Sequence, residues 1–175
     1  MDERTAITGT PGVGKTTVSH LLKEKGYVVM DLNGFLSERG LSSRQDPFRD
    51  TYMVDTEEMK AAYTSAPTHD IVEGHLSHHL ELPVTIVLRC SPEVLERRME
   101  SKEWKDEKKR ENIQSEILDV ILIEALENSN RVFEIDTSQM TPKEVCGAVI
   151  DILEGKEYGY RPGSIDWTEF MENYR

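Results

Sequence analysis

Residues 9–16 of the chain read Gly9-Thr10-Pro11-Gly12-Val13-Gly14-Lys15-Thr16. This stretch matches the pattern G-x-x-x-x-G-K-S/T at every position. A short strand, Arg4 to Thr8, is predicted before it, and a helix from Lys15 to Lys25 is predicted after it. Glycines in such a turn let the backbone present its N–H groups to phosphate oxygens, and the positive end of the following helix adds to the attraction. The stretch therefore predicts a phosphate-binding loop.

The residue types in this loop predict ATP and Mg²⁺ as ligands. Lys15 is expected to reach the β- and γ-phosphates as a point charge, and the Thr16 hydroxyl is expected to bind magnesium. The predicted nucleotide-binding residues of the loop are Gly9, Pro11, Gly12, Val13, Gly14, Lys15, Thr16 and Thr17.

Further strand-like and helix-like segments alternate along the chain, which is typical of a parallel sheet covered by helices. Strands are predicted at 27–30, 71–72, 84–88 and 132–135. Helices are predicted at 92–100, 112–127 and 142–153. The pattern predicts a three-layer α/β/α fold with a parallel sheet of about five strands. Two stretches, 33–67 and 101–111, do not fit the alternation.

Length and composition limit the alternatives. The chain has 175 residues, which is enough for one domain, and a net charge of −12. That charge argues against direct duplex nucleic-acid binding and fits a basic partner, although solubility alone would also explain it. Neither a membrane-spanning run nor a signal pattern is evident, so a cytoplasmic location is expected. The two cysteines do not form a disulfide framework, and Cys146 is expected in the core.

A second candidate site follows the predicted strand at 71–72. Glu73 could hold magnesium through water at the strand end, and His75 follows two residues later. The alternative is a strand that simply ends in polar residues. His78 and His79 stand close by, with His69 upstream, and a zinc site is the alternative for this cluster, although no cysteine lies nearby and the spacing is not a standard ligand set. We therefore interpret them as polar loop residues, with His75 near the phosphates.

Three segments together look like the adenylate kinase isoenzyme 6 family and are similar to its archaeal-type members. They are Gly9 to Thr17, Glu73-Gly74-His75, and Asn112-Ile113-Gln114-Ser115-Glu116-Ile117. The resemblance extends to about Leu153. It implies adenylate kinase and ATPase activity, with a role in small ribosomal subunit maturation. Two positions depart from the family pattern, because Glu73 stands where aspartate is usual and Ser37 stands where arginine is usual.

The resemblance divides the chain into parts. It implies a kinase domain over 1–155, with a monophosphate-binding arm at 33–67, a lid at 101–111, and a tail at 156–175. Arg39, Arg44 and Arg49 are the candidates for the acceptor phosphate, since arginine suits bidentate phosphate contacts. Arg98 lies on the helix that leads into the lid and is the candidate lid-side cation. Solvated surface charge is the alternative for each of these residues.

Two further regions follow the last predicted strand. Thr137 and Ser138 lie at its carboxyl end, where such folds bind ligands, so they are candidates for the nucleotide base loop; an ordinary capped turn is the alternative. The tail carries interleaved aromatic and acidic residues, which either pack on the domain or form a docking surface.

The leading functional hypothesis is phosphoryl transfer from ATP to AMP, with ATPase activity at the same site. The resemblance also implies a basic small-subunit ribosomal protein and the pre-ribosomal particle as partners. Two alternatives remain: a small-metabolite kinase on the same fold, and a non-kinase ATPase that acts only as a ribosomal-protein chaperone.

Overall fold

The computed structural model describes residues 4–41, 44–46 and 51–174. The strands are β1 (Thr5–Thr8), β2 (Val29–Asp31), β3 (Arg44–Asp46), β4 (Thr51–Met53), β5 (Ile71–Glu73), β6 (Val84–Arg89) and β7 (Arg131–Asp136). The α-helices are α1 (Lys15–Glu24), α2 (Leu32–Glu38), α3 (Thr56–Tyr63), α4 (Pro92–Glu100), α5 (Asp106–Ile117), α6 (Val120–Asn128) and α7 (Pro142–Leu153). Short 3-10 helices lie at Ser77–Leu80 and Thr168–Phe170.

Five strands form one parallel sheet in the order β2-β5-β1-β6-β7, which confirms the predicted fold class. Their carboxyl ends meet at one edge. The loop after β1, the end of β5 and the loop after β7 therefore lie at the edge where open α/β sheets bind ligands.

Alternating side chains on the strands bury the two faces of the sheet under different helices. Ile7 and Ile86 pack in a core with residues of α1, α4, α5 and α7. Ala6 packs with residues of α2 and α3, and Val87 packs with residues of α6. The helices thus cover both faces, which gives the three layers predicted.

The predicted helix 112–127 is wrong, because the structure has two helices there. α5 ends at Ile117 and α6 begins at Val120. Between them Asp119 has φ 55, in the left-handed region that aspartate tolerates better than most residues. Its carboxylate accepts a hydrogen bond from Arg89, and this tertiary contact holds the break. α5 also begins early, at Asp106, so it contains half of the charged run 101–111.

The stretch 33–67 contains α2 from its second residue onward, the antiparallel pair β3–β4, and α3. Asp55 caps α3 by accepting hydrogen bonds from the N–H groups of Glu57 and Glu58. Phe35 and Met59 bury against the face of the sheet that α2 and α3 cover. The arm is thus anchored to the sheet by its two helices, with the hairpin between them.

The tail packs on the domain. Tyr160, Trp167, Phe170 and Tyr174 pack against the core that α1, α4, α5 and α7 share, whereas Tyr158 is fully exposed. The buried Glu134 of β7 accepts hydrogen bonds through Oε1 from the backbone N–H groups of residues 163, 164 and 165. The aromatic residues mainly serve packing.

Two smaller points follow from burial and helix length. Cys90 and Cys146 are both buried and free, in agreement with the core position expected for Cys146. Among the described residues, no helix combines the length and the apolar character needed to cross a bilayer.

Candidate active site

The phosphate loop has a backbone that side chains would obstruct. Gly9 has φ 137, and a Cβ atom there would lie 2.3 Å from the carbonyl oxygen of Leu88. Gly14, with φ 111, occupies the N-cap position of α1. Only glycine adopts both conformations without strain, so the sequence imposes this loop shape. The loop therefore presents its N–H groups at the positive end of α1.

Lys15 is held against the loop itself. Its Nζ donates to the carbonyl oxygens of Gly9 at 2.6 Å and Thr10 at 3.1 Å. Burial lowers the pKa of Lys15 to about 8, against the opposing effect of the Glu73 and Glu116 carboxylates. The ammonium group is thus largely charged at neutral pH and lies within the loop that is predicted to bind phosphate.

The metal-binding candidates meet beside this lysine. Thr16 Oγ1 donates to Glu73 Oε1 at 3.4 Å, and Glu73 is 6% exposed. Burial and the charge of Asp31 raise the pKa of Glu73. Asp31 pairs with Glu73 across neighbouring strand ends, and sequence reasoning missed it. The signal was present, since Asp31 directly follows the strand predicted at 27–30. A hydroxyl and a carboxylate, with a second carboxylate nearby, are oxygen ligands that fit Mg²⁺.

A cleft of about 730 Å³ lies over the loop. Its walls contain the phosphate loop from Pro11 to Thr17, together with Glu73, His75, Arg98, Trp104 and Thr137. The structure thus brings together the loop residues, both residues of the β5 end, the lid-side arginine and one of the two base-loop candidates. Gly9 forms the base of the loop below the cleft, and Ser138 is not in its wall.

Arg98 bridges two parts of the site. Its guanidinium donates to the carbonyl oxygens of Val13 at 3.2 Å and Thr137 at 2.7 Å, and to Thr137 Oγ1 at 3.0 Å. Thr137 Oγ1 also donates to the Val13 carbonyl. Arg98 therefore fixes the phosphate loop against the loop after β7 while lining the cleft. Ser138 instead accepts from the Ser91 N–H and donates to Asp136.

A buried ionic network supports the loop from below, and sequence reasoning missed it. Glu116 accepts from Thr10 Oγ1 at 2.5 Å, from Arg89 Nε at 2.7 Å and from the Cys90 N–H at 3.1 Å. Arg89 also pairs with Glu134 and Asp119. Glu116 lies in the Asn-Ile-Gln-Ser-Glu-Ile run that carries the resemblance. Nothing local in the sequence shows that this run reaches the phosphate loop.

His75 lines the cleft with a neutral ring. Burial, followed by the charge of Lys15, lowers the pKa of His75 to about 4. At neutral pH the ring can therefore donate or accept a hydrogen bond, but it brings no charge to the phosphates.

Of the three acceptor arginines, only Arg39 has a described side chain, and it does not line the cleft. Arg39 is exposed, and its guanidinium lies 3.8 Å from the centre of the Phe35 ring. Arg44 lies on β3, and Arg49 lies outside the described residues.

The segment that the resemblance identifies as the lid touches the cleft at its start. Ser101, Lys102 and Trp104 line the opening. Trp104 also packs against the core, with the Lys108 ammonium 5.5 Å from its ring centre. Its indole is thus placed at the mouth of the cleft.

The fold and the cleft define a phosphate-loop phosphotransferase, and comparisons with known proteins assign the family. A family model described as an AAA domain matches residues 6–119. A relative from Archaeoglobus fulgidus, named "Putative adenylate kinase", is 42% identical over 171 residues, which cover 96% of this chain and 93% of the relative. One of the same name from Methanocaldococcus jannaschii is 38% identical over 175 residues, covering 98% and 96%. The chain belongs to this archaeal adenylate kinase family.

Solved structures agree on the fold. A shikimate kinase from Bacteroides thetaiotaomicron matches with a TM-score of 0.56 at 17% identity, covering 87% of this chain and 98% of that one. A sugar kinase from Janibacter sp. matches with a TM-score of 0.57 at 19% identity, covering 87% and 94%. Identities this low bear on the architecture alone.

Proposed function

We propose that this protein transfers the γ-phosphoryl group of ATP to the phosphate of AMP, giving two ADP, and hydrolyses ATP at the same site when the acceptor is absent. The observation that carries the proposal is the placement of Lys15 beside Thr16 and Glu73 in one cleft. Phosphoryl transfer depends on positioning and charge neutralisation, and these groups are arranged for both. The names of the relatives support the choice of adenylate.

Each residue at the donor site has a distinct role in this proposal. Lys15 leaves the loop carbonyls and pairs with the β- and γ-phosphate oxygens. Thr16 and Glu73 would hold Mg²⁺, with the Asp31 carboxylate at the neighbouring strand end, and the metal would neutralise phosphate charge. Arg98 keeps the loop in register with Thr137. His75 is neutral and aims a hydrogen bond at the water or acceptor oxygen near the γ-phosphate.

The acceptor side is proposed to be the arm 33–67. Arg39, Arg44 and Arg49 lie in this arm, and the acceptor phosphate would draw them together. Serine at position 37 removes one cation that the resembling family has, so we expect AMP to be the best monophosphate with limited selectivity.

A coupled assay of ADP formation, with and without AMP, tests the proposal. We expect ADP production to rise clearly on addition of AMP, and less with CMP, UMP or GMP. Phosphorylation of shikimate or a sugar without use of any monophosphate would favour the metabolite-kinase alternative. Hydrolysis that no acceptor changes would favour an ATPase alone.

We also propose a second role, suggested by the isoenzyme 6 resemblance: binding of a basic small-subunit ribosomal protein during subunit maturation. Two observations favour it. The net charge of −12 attracts a polycation. Leu118, Ile123 and Leu126 are about half exposed, and they lie on and just before α6 beside Glu127.

Binding of purified ribosomal protein at low salt tests this role. We expect the affinity to fall as salt rises, because exposed charges are screened. Ile123→Glu should weaken binding, whereas the control Val28→Glu, at a similarly exposed apolar residue away from α6, should not. Removing the packed tail would expose core, so it is a poor test. Failure to bind with any nucleotide would remove this role and leave the kinase proposal standing.

A further inference from the structure

A cluster of nitrogen and oxygen ligands lies between β1 and α6, and none of its three residues lines the cleft. His78 and His79 come from the 3-10 helix Ser77–Leu80, and Glu124 comes from α6. His78 is almost fully buried, His79 is 21% exposed and Glu124 is 39% exposed. One ligand atom from each residue lies within 4.8 Å of the others.

The distances within the cluster suit a small four-coordinate metal ion. Zinc binds histidine nitrogen and carboxylate oxygen at roughly 2.0–2.2 Å, so neighbouring ligands on a tetrahedron stand about 3.3 Å apart. In the protein, Glu124 Oε2 is 3.0 Å from His78 Nε2 and 3.8 Å from His79 Nε2. Both Glu124 distances are within about half an ångström of that value, and the two histidine nitrogens lie within 4.8 Å of each other.

The buried histidine already has the outer partner that a metal ligand needs. His78 Nδ1 lies 2.9 Å from Thr8 Oγ1, the last residue of β1. With a metal on Nε2, the Nδ1–H donates to this hydroxyl, which fixes the tautomer and the ring plane. Thr8 Oγ1 in turn donates to the His75 carbonyl at 3.3 Å.

We propose that His78, His79 and Glu124 form a binding site for a divalent transition-metal ion of the zinc class, separate from the magnesium site. Two imidazoles and one carboxylate favour zinc, cobalt or nickel over magnesium, which prefers oxygen ligands. The partial exposure of Glu124 leaves the fourth position to water. A bound ion joins α6 to the segment that carries His75, through Thr8 and the 3-10 helix. In the absence of metal, His78 Nε2 and Glu124 Oε2 are joined by a direct hydrogen bond, which the ion would replace.

Cobalt(II) titration of the full-length, EDTA-treated protein, without nucleotide or magnesium, tests the site. We expect one equivalent to bind with the intense visible absorption of four-coordinate cobalt, and zinc to displace it. Zinc should also raise the thermal midpoint, because it binds the folded state.

Variants locate the ion. His79→Asn and Glu124→Gln should each weaken cobalt binding about tenfold or more, since each removes one of three ligands. Both side chains are partly exposed, so these variants keep the fold, unlike changes at the buried His78. His20→Asn, at an exposed histidine on α1, is the matched control and should bind normally.

Two results would overturn the proposal. One is unchanged affinity and spectrum in the His79→Asn, Glu124→Gln double variant. The other is loss of the cobalt signal in Glu73→Gln while the double variant retains it, which would assign the ion to the phosphate cleft. Glu73→Gln with the full wild-type signal supports a separate site.

Discussion

The two sides of the cleft hold their cations in different ways. On the phosphate-loop side, Lys15 and Arg98 each contact two or more oxygen atoms of the surrounding loops, and both groups line the cleft. On the arm side, Arg39 is exposed and stacks on Phe35, away from the cleft wall. In the proposed function, Lys15 and Arg98 already line the cleft and Lys15 only exchanges loop carbonyls for phosphate oxygens, whereas Arg39 must leave Phe35 to reach the acceptor. Preorganised charge acts mainly on the transition state, so substitutions on the donor side should cost more.

The largest effect is expected for Lys15→Ala. Loss of the cation at the transferring group should lower the turnover number about a hundredfold or more. Thermal unfolding should be little changed, because the lysine only contacts loop carbonyls. Steady-state ADP formation checks the rate, and circular dichroism checks the fold. Lys25→Ala, at the exposed end of α1, is the control. A folded Lys15→Ala protein with normal turnover would contradict the role of the loop.

Glu73→Gln should come next, with turnover falling about tenfold to a hundredfold and ATP affinity changing little. In the proposed function the carboxylate positions the metal ion, so its loss should destabilise the transition state more than it weakens ATP binding. The amide keeps the shape and the hydrogen bond with Thr16 but removes the charge. Nucleotide titration and turnover, measured at several magnesium concentrations, distinguish a loss of ATP affinity from a loss of catalytic rate. Equal losses in affinity and rate would indicate a structural role for Glu73 instead.

Glu116→Gln removes the charge that pairs with Arg89 and weakens the contact with Thr10 of the phosphate loop. Removing one charge from a buried pair costs about 3–5 kcal/mol of stability, because the Arg89 charge loses a partner. The remaining partners of Arg89, Glu134 and Asp119, should reduce that cost. We expect a lower denaturation midpoint and about a tenfold loss of turnover, as Thr10 loosens. Glu127→Gln, on α6 away from this network, is the control. Unchanged turnover at a lowered midpoint would limit Glu116 to stability.

The same contrast explains what sequence could predict. The sheet, the phosphate loop and the pairing of Thr16 with Glu73 follow from short patterns, because each lies at a strand end and strand ends meet at one edge. The break at Asp119 and the reach of Glu116 to Thr10 depend on Arg89, which is 27 residues from Glu116 along the chain. No local pattern carries that contact. Predicting Asp31 as a site residue would have required the strand order, which places β2 beside β5.

ATP affinity should also depend on pH through Lys15, on the phosphate-loop side of the cleft. Because the pKa of Lys15 is lowered to about 8 in the free protein, the ammonium deprotonates above that pH and ATP loses a cation. Phosphate charges favour the protonated form, so ATP binding at about pH 9 should take up close to one proton, and affinity should fall up to about tenfold per pH unit. Calorimetry in buffers of different ionisation enthalpy measures the uptake.

Lys15→Ala is the control for this pH dependence, and it should abolish the proton uptake. The linked effect on stability has a definite sign. Since the folded pKa is below the unfolded value of 10.5, the unfolded state binds more protons between pH 8 and 10.5, and this group favours folding as pH rises through that window. Uptake that persists in the variant would assign the proton to another group.

The smallest effect is expected for Arg39→Ala, and it tests the acceptor side directly. In the free protein the guanidinium stacks on Phe35, and that contact must be given up before Arg39 can reach a phosphate. Part of the binding energy therefore goes into the exchange, so we expect the KM for AMP to rise only a few fold, with ATP affinity and acceptor-free hydrolysis unchanged. Arg161→Ala, at an exposed arginine of the tail, is the control. A drop in turnover as large as that of Glu73→Gln would show that Arg39 acts on the transferring group, and the two sides of the cleft would then be equally preorganised.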